Sequence, residues 1–205
     1  TITMEVDATE LVSLRERLKV RLAEELGFNL GYNDLLIKVV ARALREHPNV
    51  NARLEGDPTT GVIRQLASVN VALAVDTDRG LLVPVVHDAD RKRLVDVARE
   101  LREVIGRARE GKATLDDLSG GTLTITNLGM YDVDAFTPII NLPEMAILGV
   151  GRIKAKAVVV DGQIVIRNMM WLSLTFDHRF VDGAPAARFL QRLKELVEEP
   201  YLLLV

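Results

Sequence analysis

Cysteine is absent from the 205 residues, which removes disulfides, a nucleophilic thiol and a thiolate metal site together. Histidine is scarce: His47, His87 and His178 stand far apart, without the short spacings of a zinc site, so no metal is expected. Neither sign of charge dominates. The 26 basic and 29 acidic residues leave a formal charge of -3, which argues against nucleic acid as a main partner and leaves room only for a local patch that binds an anionic cofactor. No apolar run approaches the roughly 18 uninterrupted residues needed to cross a bilayer, so no membrane partner is expected. The opening TITMEVDATE alternates apolar with polar and already carries acids, unlike a signal peptide. A soluble protein is expected, cytoplasmic or, for a eukaryotic source, in the mitochondrial matrix.

What is present suits one packed domain. The length supports a single core. An apolar content of 48% and a mean hydropathy of +0.15 are high for a monomer, and part of that excess is expected to face other subunits.

The alternation of Thr1 to Val6 predicts a strand, and Asp7 with Glu10 has capping-box spacing. Leu11, Leu14, Leu18, Leu22 and Leu26 recur every three or four residues, predicting a helix that Gly27 stops. A second helix carries Leu36, Val39, Val40, Ala43 and Leu44, with Asn33 as cap and Pro48 as its latest end. VNVALAV (69–75) and LLVPVV (81–86) read as strands, Pro84 placing the second at a sheet edge or interrupting it. A third helix is expected over Arg91 to Glu110, capped by Asp90. Leu123 to Thr126, Ala146 to Val150 and Ala157 to Val160 read as strands. Asp161-Gly162 is a strong hairpin signal, and Gln163 to Phe176 one long strand. A final helix spans Ala184 to Glu198, with Asp182 available as cap, before an apolar YLLLV end. With no regular βαβ repeat and no phosphate-loop or dinucleotide fingerprint, the pattern predicts an α+β domain, a largely antiparallel mixed sheet covered by helices.

Few residues invite chemistry. His178 stands where the long strand ends, a place that exposes a side chain while fixing it, as a general base requires; a structural histidine fits as well. Asp182 reads either as a site residue or as a helix cap. Thr126, in T-N-x-G after a short strand, could donate a hydrogen bond to an oxyanion or be an ordinary strand residue. Asn141 reads as a turn former or a pocket hydrogen-bonder. His47 and His87 read as structural, and the Arg91-Lys92-Arg93 group as a solvated helix face. Ser119 and Ser173 lack the setting of an esterase nucleophile.

Taken together, SLTFDHRFVDG (173–183), VDTDRGLLVPVV, REGKATLDDLSGGTLTITNLGM and FTPIINLPEMAILGVGRI follow, in order, the catalytic domain of dihydrolipoamide acyltransferases (E2) of 2-oxo acid dehydrogenase complexes. The first string also fits the HxxxDG pattern shared with chloramphenicol acetyltransferase. The resemblance covers essentially all 205 residues. It implies a chloramphenicol-acetyltransferase-like fold, His178 as catalytic base, Asp182 as its partner and Thr126 as the hydroxyl that stabilises the intermediate, threonine standing where some relatives have serine. It also implies that residues 1–205 are one E2-type catalytic domain, trimmed at its N-terminus, without lipoyl or subunit-binding domains.

The reaction implied is reversible transfer of an acyl group between dihydrolipoamide, carried on a separate lipoyl domain, and coenzyme A as substrate. An imidazole with a pKa near its ordinary ~6.5 is largely neutral at physiological pH and can take the CoA thiol proton. Asp182 is cast as an organiser of the site, holding backbone, Arg179 or the imidazole. The resemblance further implies a homotrimer with Thr126 from one subunit meeting His178 of the next, trimers joining into a 24-mer or 60-mer, and dehydrogenase (E1) and dihydrolipoamide dehydrogenase (E3) partners held through absent domains. The YLLLV end suits a trimer-to-trimer contact. The ITNLGM and FTPIIN strings lean toward a pyruvate- or acetoin-type complex. Two alternatives stay open: a small-molecule O- or N-acyltransferase using acyl-CoA, and a non-catalytic structural core.

Overall fold

The computed structural model describes residues 1–57 and 60–204; Pro58, Thr59 and Val205 lie outside the described residues. In chain order the elements are β1 (Ile2–Asp7), α1 (Thr9–Leu26), α2 (Tyr32–Glu46), β2 (Ala52–Glu55), β3 (Val62–Gln65), β4 (Val71–Leu73), β5 (Val75–Thr77), β6 (Gly80–Leu82), β7 (Val85–Val86), α3 (Leu94–Arg109), β8 (Leu123–Asn127), β9 (Ala146–Val150), β10 (Lys154–Val160), β11 (Gln163–Phe176) and α4 (Gly183–Glu198). A short 3-10 turn, Pro200–Leu204, follows.

Seven strands form one sheet in the order β1-β11-β9-β8-β4-β7, with β10 also paired to β11. The β4-β8 and β8-β9 pairs are parallel; the others are antiparallel. The expected mixed, largely antiparallel sheet is therefore what forms. Its backbone is β11, whose 14 residues pair first with β10 and later with β1 and β9. Asp161 and Gly162 take φ of 51° and 77° in the β10-β11 turn, the left-handed geometry that a tight hairpin requires. Two further hairpins, β2-β3 and β5-β6, stand apart.

The two faces of the sheet differ in chemistry because side chains alternate along each strand. Leu123, Ile125, Leu148, Val150, Met170, Leu172 and Leu174 belong to a continuous core with the helices. α2 packs against both α3 and α4, which explains why nine of its residues are buried rather than a single stripe. The opposite face carries Thr124, Thr126, Gly149, Ser173 and Thr175. Some of its hydroxyls pair across strands: Thr3 Oγ1 donates to Ser173 Oγ at 3.3 Å, and the hydroxyls of Thr1 and Thr175 lie 2.6 Å apart. The segment between β8 and β9 crosses this polar face. Gly149 admits it, since a Cβ there would lie 3.1 Å from Phe136 Cζ and 3.3 Å from Pro138 Cγ.

The helix starts differ from expectation for physical reasons. No capping box forms at Asp7; its Oδ1 accepts from Thr9 N at 2.9 Å, and Ala8 is the N-cap. Asn33 does not cap α2: Gly31 is the N-cap, and Asp34 Oδ2 accepts its N–H at 2.6 Å. α3 begins at Leu94, with Arg93 rather than Asp90 at its N-cap. The residues before it are held otherwise, since Lys38 Nζ donates to the carbonyls of Ala89, Asp90 and Lys92 at 2.8, 3.3 and 2.5 Å. Gly27 does stop α1, at φ 70°. VNVALAV and LLVPVV each break into two short strands, with Pro84 O accepting from Leu73 N at 2.9 Å between them.

Candidate active site

β11 ends at Phe176, and the chain turns at once into α4. Asp177 N donates to Met145 O at 2.9 Å, and Phe180 and Val181 donate back to Asp177 O at 3.1 and 3.0 Å. The buried Val181 anchors this turn, so His178 is presented at its apex from a fixed base. Its side chain is 70% exposed and that of Asp182 84%, with Nδ1 and Oδ1 3.9 Å apart, beyond a hydrogen bond. Asp182 occupies the N-cap position of α4, but its side chain makes no capping bond. Arg179 turns to Asp177, bonding it from Nε at 3.0 Å and Nη2 at 2.7 Å, and holds that carboxyl below the usual range.

Thr126 lies near the end of β8. The other threonines of this segment are engaged internally: Thr122 Oγ1 donates to Asn70 O at 3.1 Å, and Thr124 Oγ1 lies 2.7 and 2.9 Å from the two carboxylate oxygens of Glu144. The Thr126 hydroxyl is part-exposed and, alone among the three, is left free to donate outward among the described residues. Asn127 is tied down, its Nδ2 donating to Asn33 Oδ1 at 2.8 Å and its Oδ1 accepting from Gly129 N at 2.9 Å. Asn33 thus serves β8 rather than its own helix.

Within one chain, Thr126 and His178 are not brought together. Thr126 is in register with Gly149, and Gly149 with Ser173. From Ser173, the strand runs on to Phe176, a rise of about 10 Å, and two strand spacings add about 10 Å sideways. His178 lies two residues beyond that. The hydroxyl and the imidazole stand at opposite ends of the same sheet.

Beside the end of β8, on the helical side, a cleft of about 710 Å³ opens between α2, α3 and the sheet. Its walls include Phe28, Tyr32, Asp34, Arg102, Arg109, Asn127, Gly129 and Met130. Arg102 lies over the Phe28 ring at 4.6 Å. Burial pushes the Asp34 carboxyl up to about 6, against the Gly31 N–H, Arg102 and Arg15, which favour its charge. The volume is that of a pocket for a large small-molecule ligand. Sequence reasoning missed this cleft, because its residues come from segments spread from Leu11 to Met170; the placing of Ala98, Arg102 and Arg109, four and seven residues apart, on one face of α3 was the available signal.

Glu144 is a second residue that sequence reasoning passed over. It is 4% exposed, and burial pushes its carboxyl from 4.5 up to about 7, opposed by the bonds from Thr124 and Asn141. From about pH 4.5 to about 7 the unfolded chain is ionised here while the folded one keeps its proton. Stability therefore falls with rising pH across that window, and the loss amounts to on the order of 3 kcal/mol above it. Thermal melts between pH 4 and 9 are expected to show Glu144→Gln gaining on wild type as pH rises and levelling off past 7; a constant difference would refute the buried, proton-linked carboxyl.

All 205 residues match the family model of 2-oxoacid dehydrogenases acyltransferase, catalytic domain. This chain is a member of that acyltransferase family. Among curated relatives, it is 46% identical over 196 residues, 96% of the chain, to the succinyltransferase component of the 2-oxoglutarate dehydrogenase complex of Bartonella vinsonii. It is 43% identical over all 205 residues to the acetyltransferase component of the pyruvate dehydrogenase complex of Bacillus subtilis. The chain spans 47% and 46% of the lengths of these two proteins. Among solved acyltransferases, the dihydrolipoamide acetyltransferase of Azotobacter vinelandii superposes with a TM-score of 0.93 at 38% identity, covering 100% of this chain and 83% of that one. In that enzyme a serine, a histidine and an asparagine four residues after the histidine were investigated for catalytic roles. A cubic core of a pyruvate dehydrogenase complex superposes equally well, at TM-score 0.93, 38% identity and the same coverage. Chloramphenicol acetyltransferase, at 19% identity and TM-score 0.59 over 96% of this chain and 86% of that one, shares the fold.

Proposed function

We propose that this domain transfers acyl groups between dihydrolipoamide and coenzyme A in a site built from two copies of the chain, His178 of one facing Thr126 of the next. The observation that carries the reading is the division of labour within one chain: an exposed imidazole at one end of the sheet and an unengaged hydroxyl at the other. Each stands on backbone fixed by hydrogen bonds, and the strand register holds the two apart within one chain. The four-residue spacing of His178 and Asp182 matches that of the histidine and asparagine investigated in the Azotobacter enzyme, and Thr126 supplies the same O–H chemistry as a serine.

In the forward direction, neutral His178 takes the CoA thiol proton as the thiolate sulfur bonds to the carbonyl carbon of acyl-dihydrolipoamide. The carbonyl π electrons move to oxygen, and Thr126 donates a hydrogen bond to that oxyanion. Collapse of the intermediate breaks the bond to the dihydrolipoamide sulfur, which leaves with the proton held by the imidazolium. The products are acyl-CoA and dihydrolipoamide. Asp182 keeps the imidazole or its cation oriented, and the two large thiol substrates are held rather than activated by any third reagent.

The cleft beside β8 suits CoA. Its apolar walls match a pantetheine arm, Arg102 and Arg109 offer charge to phosphates, and it opens at Asn127, at the end of β8 that carries Thr126 on its other face. Replacing Arg102 and Arg109 together with alanine should raise KM for CoA by roughly 10-fold or more, leaving kcat and KM for dihydrolipoamide near wild type. Equal KM values for CoA would place the coenzyme elsewhere.

Trimers assembling further, as in a cubic core, suit the apolar end of the chain, where Leu204 is 87% exposed. Truncation after Pro200 should yield a smaller particle, and an unchanged mass in light scattering removes that role. In a whole protein, the lipoyl group arrives on a separate domain, with dehydrogenase and dihydrolipoamide dehydrogenase components as partners. The deciding assay is transfer from acetyl-, succinyl- and branched-chain acyl-CoA to dihydrolipoamide, with amine and alcohol acceptors as controls. Turnover of the amine or alcohol in preference to the dithiol overturns the proposal, as does no transfer to any acceptor by the assembled particle.

A further inference from the structure

The segment crossing the polar face of the sheet ends in Asn141-Leu142-Pro143-Glu144 and leads into β9. Glu144 points into the protein. Both of its carboxylate oxygens contact Thr124 Oγ1, at 2.7 and 2.9 Å, and Asn141 Nδ2 donates to Oε1 at 3.3 Å. Oε1 occupies the room left by Gly121, where a Cβ would come within 2.7 Å of it. The backbone of Glu144 bridges to that of Arg53, whose guanidinium is engaged 2.6 Å away with Glu55. What shifts the carboxyl is burial, then the bonds from Thr124 and Asn141, with no cation contributing. A buried carboxyl held by a hydroxyl, an amide and the Thr124 backbone, with no cation, is costly to keep if shape is all it supplies.

Its place in the fold suggests what it supplies. Thr124 precedes Thr126 by two residues, so both project from the same face of β8. On the other side of Thr126, its register partner Gly149 lies under Phe136 and Pro138 of the same crossing segment. That segment therefore grips the sheet on both sides of the free hydroxyl, and Glu144 is its fastening to β8.

We propose that Glu144 is a positioning residue for acyl transfer: by clamping Thr124 to the Asn141-Glu144 turn it sets the position of the Thr126 hydroxyl against the oxyanion. This rests on the acyl-transfer reading above. The neutral form of the carboxyl suffices for the task, so an amide of the same shape should serve, whereas removing the group should not.

The test is steady-state transfer from acetyl-CoA to dihydrolipoamide by the assembled wild type and by Glu144→Gln and Glu144→Ala. Misplacing a donor by about 1 Å costs on the order of 100-fold. Glu144→Ala should therefore lose about 10- to 100-fold in kcat with both KM values within about 2-fold of wild type, and Glu144→Gln should recover kcat to within about 3-fold. Should the alanine variant not assemble, Glu144→Asp, one methylene shorter and unable to hold Thr124 and the turn together, takes its place with the same expected kcat loss. An assembled Ala or Asp variant with wild-type kcat overturns the positioning role while leaving the reaction standing. A Gln variant as impaired as Ala overturns it too, by showing that shape and neutral bonding do not suffice. Absence of transfer by wild type removes the acyl-transfer reading and this proposal with it.

Discussion

Replacing His178 with alanine should lower acyl transfer by at least ~100-fold while leaving the protein folded and assembled, the loss expected when a general base is removed. The folding half of this expectation follows from exposure. The His178 side chain is 70% exposed, and Asp182 lies beyond hydrogen-bond reach at 3.9 Å. Its ring lies 5.6 Å from that of Phe176, centroid to centroid. Surface changes of this kind alter stability by about half a kcal/mol or less. The catalytic half follows from chemistry, since a CoA thiol is mostly protonated at neutral pH and attacks only as its thiolate. The check is kcat with free dihydrolipoamide, alongside particle mass and melting temperature. Near-normal turnover in an intact particle would rule His178 out as the base.

The parts of this molecule set by local pattern could be read from its sequence, and the parts set by packing could not. β11 was delimited correctly because it has unbroken β-prone character between clear turn signals, Asp161-Gly162 at one end and DHR at the other, and the bounds of β9 were also read correctly. The helix starts were misjudged because caps depend on which partner reaches the backbone first: Lys38, 51 positions before Ala89 in the chain, takes the carbonyls that a longer α3 would have used. For the same reason Asn33 looked like a cap, when its oxygen is used 94 positions away by Asn127. His178, Asp182 and Thr126 were singled out because they stand in strings that resemble the motifs of a known family. Glu144 and the arginines of the cleft carry no such motif. Glu144 lies in a proline turn that reads as surface, and only the fold of the crossing segment over β8 buries it.

Replacing Thr126 with valine should reduce kcat by about 100- to 1,000-fold, the cost of losing one oxyanion donor, and Thr126→Ser should retain most activity. Valine matches threonine in shape and in its preference for strands, and the hydroxyl it removes has no internal partner among the described residues, so the melting temperature should hold. The same variant decides where the site is built. If His178 and Thr126 met within one chain, mixing His178→Ala chains with Thr126→Val chains before assembly would restore nothing, because every chain lacks one of the two groups. A site made by neighbours behaves otherwise. In a random one-to-one mixture, half of the histidine positions come from Thr126→Val chains and half of the hydroxyl positions from His178→Ala chains, so about one quarter of the sites hold both groups. Co-refolded particles should then recover about a quarter of wild-type activity, against the residual level of either variant alone. Recovery requires only that each chain present one intact end of its sheet to the next, since the strand register keeps residues 126 and 178 of one chain apart.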